Sequence, residues 1–139
     1  MPALHDELEL VRAYLDLMHL RMPDRLQVHI DVDAALLPLR FPPMALLTLV
    51  ENAVRHGIDP SEQGGRIEVS GRLDAATRRA HLWVVDTGVG LGGTHAAGTG
   101  LENARERLRG VFGADARLEL EANAPRGVRA ELSFTVRAT

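Results

Sequence analysis

The sequence contains no cysteine, which excludes disulfides and thiolate metal sites and suits a reducing cytoplasm, the expected location. No apolar run approaches the ~20 residues that span a bilayer. The start, Met1-Pro2-Ala3-Leu4-His5-Asp6-Glu7, lacks the basic-then-apolar order of a signal peptide, so no direct membrane contact is expected of these residues. Basic excess is absent as well. With 16 basic against 19 acidic residues and a formal net charge of -3, the chain offers no broad positive field for a polynucleotide, and no nucleic-acid partner is expected. Repeats, low-complexity tracts and linkers are also missing. What remains is 139 residues, 45% hydrophobic and 25% charged: one ordinary folded domain with a core and a soluble surface.

Apolar Leu4, Leu8, Val11, Leu15 and Met18 recur at helical spacing with Asp6, Glu7, Glu9, Arg12 and Asp16 between them, which predicts an amphipathic helix from Leu4 to about Leu20. Pro23 and Asp24 stop it, and Leu26, Val28, Ile30 and Val32 then alternate with polar residues as in a half-buried strand. Pro42 and Pro43 suit the first turn of a second helix that runs to His56 and ends at Gly57. Arg66 to Leu73 and Arg79 to Asp86 read as a hairpin. A glycine-rich loop covers Gly88 to Gly98, a third helix follows from Leu101 to near Gly113, and strands Ala116 to Glu121 and Val128 to Val136 close the chain. This order of elements fits an α/β fold, a two-layer sandwich with helices covering one face of a mixed sheet.

Three clusters carry chemistry. In Thr48 to Gly57, Thr48, Asn52, Arg55 and His56 share one helical face, opposite Leu46, Leu47, Val50, Ala53 and Val54. An amide, a guanidinium and an imidazole in a row suit a Mg-nucleotide: Asn52 is the Mg²⁺-ligand candidate, and cations balance phosphate charge. An ordinary solvated helix face explains the same pattern. In Asp86-Thr87-Gly88-Val89-Gly90, a strand-end carboxylate can accept from an exocyclic amine while Gly88 and Gly90 let the backbone approach a flat base. A plain turn is the alternative. A dinucleotide fingerprint on Gly88, Gly90 and Gly93 is disfavoured, because a loop to about Gly98 separates it from the next helix. In Gly98-Thr99-Gly100-Leu101-Glu102-Asn103, a helix begins behind glycines, an arrangement open to phosphate or to a simple cap.

Taken together and in order, Glu51-Asn52-Ala53-Val54-Arg55-His56-Gly57, Asp86-Thr87-Gly88-Val89-Gly90-Leu91 and Gly98-Thr99-Gly100-Leu101-Glu102-Asn103 resemble the N, G1 and G2 boxes of the GHKL ATPases. Asp6 to Leu15, with Arg21 and Asp24-Arg25-Leu26, narrows the resemblance to LytS-like sensor histidine kinases. The resemblance implies a Bergerat sandwich with a mostly antiparallel sheet. Residues 1–22 would form a connector helix and 23–139 an ATP-binding catalytic domain. ATP and Mg²⁺ are the implied cofactors: Asn52 as metal ligand, Arg55 and His56 near the phosphates, Asp86 on the adenine amine, Gly88 and Gly90 against the base. Gly98, Thr99, Gly100 and Leu101 would stand at the end of an ATP lid, with Asn103 next on the helix. Glu51 would orient or deprotonate an incoming imidazole. Gly92, Gly93, Ala96, Ala97 and Gly98 predict a lid that is mobile without ligand.

The implied activity is histidine kinase. The acceptor would belong to a dimerisation domain of the same kinase, which passes phosphate to a response regulator, since no His-Phe motif occurs in this sequence. Alone, the domain is expected to be monomeric. The sequence departs from the family pattern at Thr48, Arg55, Thr87 and Val128. Thr48 occupies the position of the water-activating Glu of GHKL hydrolases, which disfavours self-contained hydrolysis. A stand-alone anti-sigma-factor-like serine kinase and a nucleotide-binding pseudo-kinase are the alternatives.

Overall fold

The computed structural model describes residues 1–89 and 99–136. Gly90 and Gly98, and the predicted lid residues between them, lie outside the described residues. The elements are α1 (Leu4–Arg21), β1 (Leu26–Val32), a 3-10 turn (Ala34–Leu36), α2 (Ala45–Asn52) with a π-helical extension (Ala53–Ile58), β2 (Gly65–Asp74), β3 (Arg79–Asp86), α3 (Thr99–Phe112), β4 (Arg117–Ala122) and β5 (Val128–Thr135).

The strands form one sheet in the order β1-β2-β3-β5-β4. β1 and β2 run parallel, which requires the crossover that α2 supplies, and the other pairs are antiparallel. Period-two alternation fixes the sheet's faces. In β3, Ala80, Leu82, Val84 and Asp86 are buried while Arg79, His81, Trp83 and Val85 are half-buried. On the open face Trp83 stacks on His81 and lies under the Arg129 guanidinium.

The other face carries the helices. Leu4, Leu8, Val11 and Leu15 of α1, Leu46, Leu49 and Val50 of α2, and Leu101, Ala104 and Leu108 of α3 join Ile67, Val69, Leu82, Val84, Leu132 and Phe134 in one core. Each such Leu, Val or Phe contributes about 1.5–3 kcal/mol on burial, so α1 is anchored by four side chains on a single stripe. The two-layer α/β sandwich inferred from the pattern of elements is the fold observed.

α2 departs from expectation at both ends. Its first residue is Ala45, because Met44 sits at φ 71 and breaks the helical path after Pro42 and Pro43. Gly57 does not end the helix. The chain passes through it in a wider π turn and leaves after Ile58. Glu7, taken from the pattern as one of the polar residues between the apolar positions of α1, is only 2% exposed.

Candidate functional site

Asp86 belongs to the buried parity of β3, so the same alternation that buries Leu82 and Val84 directs its carboxylate under the helices, where it is 2% exposed. Its Oδ1 accepts from the Gly88 N–H at 2.9 Å, an Asx turn that folds the chain back at the strand end. Thr87 continues the ladder: its N–H donates to Arg66 O at 3.1 Å, and its hydroxyl accepts from Arg66 N–H at 2.8 Å. The β4–β5 turn braces the same corner, with Asn123 Nδ2 donating to Asp86 O and Arg126 Nε to Gly88 O. Neither brace was visible in the sequence pattern, because both are contacts across 37 or 38 residues.

The Asp86 turn leans directly on the π-helical segment. Val89 N–H donates to Gly57 O at 3.1 Å. A Cβ on Gly57 would stand 2.7 Å from Asp86 Oδ1, and one on Gly88 would stand 2.2 Å from Gly57 O. Gly57 is therefore glycine for close approach between helix and turn, which its position after a helical pattern disguised as a stop signal. Gly88 serves the same contact in this structure.

Asp86 opens onto a small recess of about 20 Å³ lined by Leu49, Asn52, Ala53, Val84, Leu101, Leu120, Val128 and Ala130. Its walls come from α2, β3, α3, β4 and β5. Among the described residues the lining is apolar except for Asp86 and Asn52. The chemistry of this lining, an apolar wall with one buried carboxylate and one amide, suits the edge of a flat heterocycle that presents an exocyclic amine to Asp86. Val128, a departure noted in the sequence, stands in this wall. Of the lining residues, Leu49, Ala53, Val84, Leu120, Val128 and Ala130 were not singled out as binding residues. Their only sequence signal is membership of the buried face.

The structure brings Asn52, Asp86 and Leu101 to one recess and places other candidates around it. Thr99 and Gly100 begin α3 two residues before Leu101, and Asn103 is exposed on that helix. Glu51 is half-buried beside Asn52, Arg55 is exposed and His56 half-buried; none of the three lines the recess. The π turn that starts at Ala53 alters the angle at which Arg55 and His56 follow Asn52. Thr48 Oγ1 donates to Met44 O at 2.7 Å, so its hydroxyl is used inside the helix. Among the described residues no group of three or more His, Cys, Asp or Glu could hold a metal ion.

Beside this helix stands Tyr14 of α1, half-buried. Burial, and secondarily the Glu51 carboxylate, raise its phenol above the ordinary value. A raised folded-state pKa means that the neutral phenol stabilises the fold below about pH 10 and that this contribution is lost as pH climbs through the folded value. As Tyr14 is the chain's single tyrosine, tyrosinate absorbance reads it directly. The titration should lie above that of the unfolded chain, and Tyr14→Phe should flatten the alkaline limb of stability measured by denaturant unfolding.

No protein-family model matches the chain. Among curated proteins, the sensor histidine kinase/phosphatase LytS of Staphylococcus aureus, from strains Mu50 and N315, is 38% identical over 86% of this chain. The chain spans 22% of the length of those relatives. Among solved structures, the nucleotide-free catalytic domain of the histidine kinase ThkA aligns with a TM-score of 0.69 at 15% identity, covering 96% of this chain and 93% of that one. The histidine kinase AdeS of Acinetobacter baumannii gives 0.65 at 14% identity, covering 95% and 66%. The histidine kinase domain of the blue-light-activated EL346 of Erythrobacter litoralis gives 0.61 at 16%, covering 89% and 60%. These three speak to the fold, which is the Bergerat sandwich of histidine kinase catalytic domains, while LytS speaks to descent. By its likeness to LytS the chain is a LytS-like histidine kinase domain of the GHKL type.

Proposed function

We propose that the domain binds Mg-ATP and presents its γ-phosphate to a histidine on a dimerisation and phosphoacceptor domain of the same parent kinase, from which a response regulator takes the phosphate. The observation that carries this reading is the buried Asp86 carboxylate in an apolar recess that Asn52 and Leu101 also line. In this reading Asp86 accepts from the adenine amine, the apolar walls hold the ring, and Asn52 supplies one oxygen to Mg²⁺. Bound Mg-ATP would supply the phosphoryl group and the metal charge. Arg55 and His56 balance phosphate charge from the α2 side, and the positive end of α3, over Thr99 to Leu101, does so from the other. Gly88 would lie against the base with Gly90, and Gly98 and Asn103 are the remaining residues of the proposed nucleotide site. Glu51, next to Asn52, orients the incoming imidazole.

The chain's contribution is positioning with little covalent chemistry, as phosphoryl transfer requires. Residues 1–22 act as the connector and 23–139 as the catalytic domain. Half-exposed Leu10 and Leu17, one helical repeat apart on α1, give an incoming helix an apolar ledge. Among the described residues no helix is long and apolar enough to cross a membrane.

Isothermal calorimetry with ATP and MgCl₂ tests the reading: the chain should bind, and no heat with either ATP or ADP refutes it. Asn52→Ala should reduce the gain in affinity that Mg²⁺ confers on ATP by about tenfold, the worth of one charge-assisted contact. Affinity for ADP in EDTA should stay within about twofold, because the adenine contacts are untouched. Transfer of labelled phosphate to a supplied LytS-type acceptor domain, stable to base and labile to acid, checks the histidine product.

A further inference from the structure

The helix that bears Asn52 is gripped by α1 at both of its ends. At the entry, α2 has no side-chain cap of its own. Its first N–H groups donate instead to the Glu7 carboxylate: Met44 N to Oε1 at 3.0 Å, and Leu46 N and Leu47 N to Oε2 at 3.1 and 3.0 Å. Glu7 comes from another element, 37 to 40 residues away, and is buried. A buried carboxylate is tolerable there because the amides and the positive helix end neutralise it. At the exit, Arg21 of α1 pairs with Asp59 at 2.9 Å. Arg25, just beyond α1, donates to Ile58 O at 3.2 Å, to Asp59 O at 3.0 Å and to Ser61 O.

The two grips stand about 21 Å apart along α1, from Glu7 to Arg21 at 1.5 Å per residue. Asn52 lies between them. Any axial or rotational shift of α1 is therefore carried by Glu7 into the helix that sets where the Asn52 amide points. Resting on the nucleotide reading above, we infer that Glu7 is a positioning residue for the metal-ligand amide of Asn52, and that α1 is the lever through which its placement reaches the site.

The test is calorimetry on the full chain with ATP in MgCl₂ and ADP in EDTA, comparing wild type with Glu7→Gln. The amide keeps the shape but turns a donor toward the helix N–H groups. The Mg²⁺-dependent gain in ATP affinity should fall about five- to tenfold, while ADP affinity in EDTA stays within about twofold. The Asn52 side-chain amide resonances should also shift relative to wild type. A merely structural role would weaken both affinities together and leave the Mg²⁺ increment intact, and that result overturns the inference, as does an unchanged increment. Should Glu7→Gln not fold, Arg21→Ala at the exposed far end decides: a two- to threefold loss of the increment supports the lever, and no loss sinks it. Failure of wild type to bind ATP at all strikes the proposed function instead, so the two failures are separable.

Discussion

Asp86→Asn is expected to weaken ATP binding by roughly ten- to a hundredfold while leaving the domain folded. A charge-assisted hydrogen bond in a buried site is worth about 1.5–3 kcal/mol, and about 1.4 kcal/mol corresponds to a factor of ten. The asparagine is isosteric, and its oxygen can still accept the Gly88 N–H that closes the strand-end turn, so the turn should persist. What changes is the other position of the side chain, where an NH₂ donor in place of an acceptor would face the donor amine of adenine. A purine with a carbonyl in place of the amine would suit the variant better, so calorimetry with ITP alongside ATP should show the preference narrowing or inverting. Equal ATP affinity in wild type and variant would mean that the base does not rest on Asp86. Asp86→Ala should lose ATP binding to a similar degree, but it also removes the acceptor for Gly88, so its thermal midpoint would have to be followed with it.

That Asp86 could be picked out at all follows from one strand. His81 to Asp86 alternates strictly, and a carboxylate on the same parity as Leu82 and Val84 must point where they point. Order and type of the elements were legible for the same reason, since periods of two and 3.6 persist along each segment. The places where the pattern misled are those where a residue answers to something distant. Glu7 sits among exposed acidic residues of α1, and only the bare N-terminus of a helix 37 residues on explains its burial. Pro42 and Pro43 satisfy every local rule for a helix start, yet the helix waits for Ala45, where its amides meet that carboxylate. Gly57 has the position of a stop signal and the function of a spacer. The recess walls on β4 and β5 carried no mark beyond hydrophobicity, because Leu120, Val128 and Ala130 differ from other core residues only by where the sheet order β3-β5-β4 brings them.

The second large effect is expected at Gly88. Its missing side chain is what lets the Asp86 turn rest on the π-helical segment: a Cβ would lie 2.2 Å from both the carbonyl carbon and the oxygen of Gly57 and 2.6 Å from its Cα. Those are backbone atoms held inside a helix, so no rotamer change can relieve the overlap. Either the turn lifts away from the helix or the helix yields, and in both cases the Val89 N–H to Gly57 O bond is lost. Overpacking of this kind costs about 1–3 kcal/mol, with the upper end apt for a backbone obstacle. For Gly88→Ala, chemical denaturation should therefore show a loss of about 3 kcal/mol. ATP affinity should fall as well, since the displaced turn carries Asp86. Gly110→Ala is the internal reference, because a Cβ there meets nothing within 4 Å and alanine in a helix interior gains about 0.5–1 kcal/mol over glycine. If Gly88→Ala were as stable as that reference, the close contact between the strand-end turn and the Asn52 helix would not be what fixes the recess.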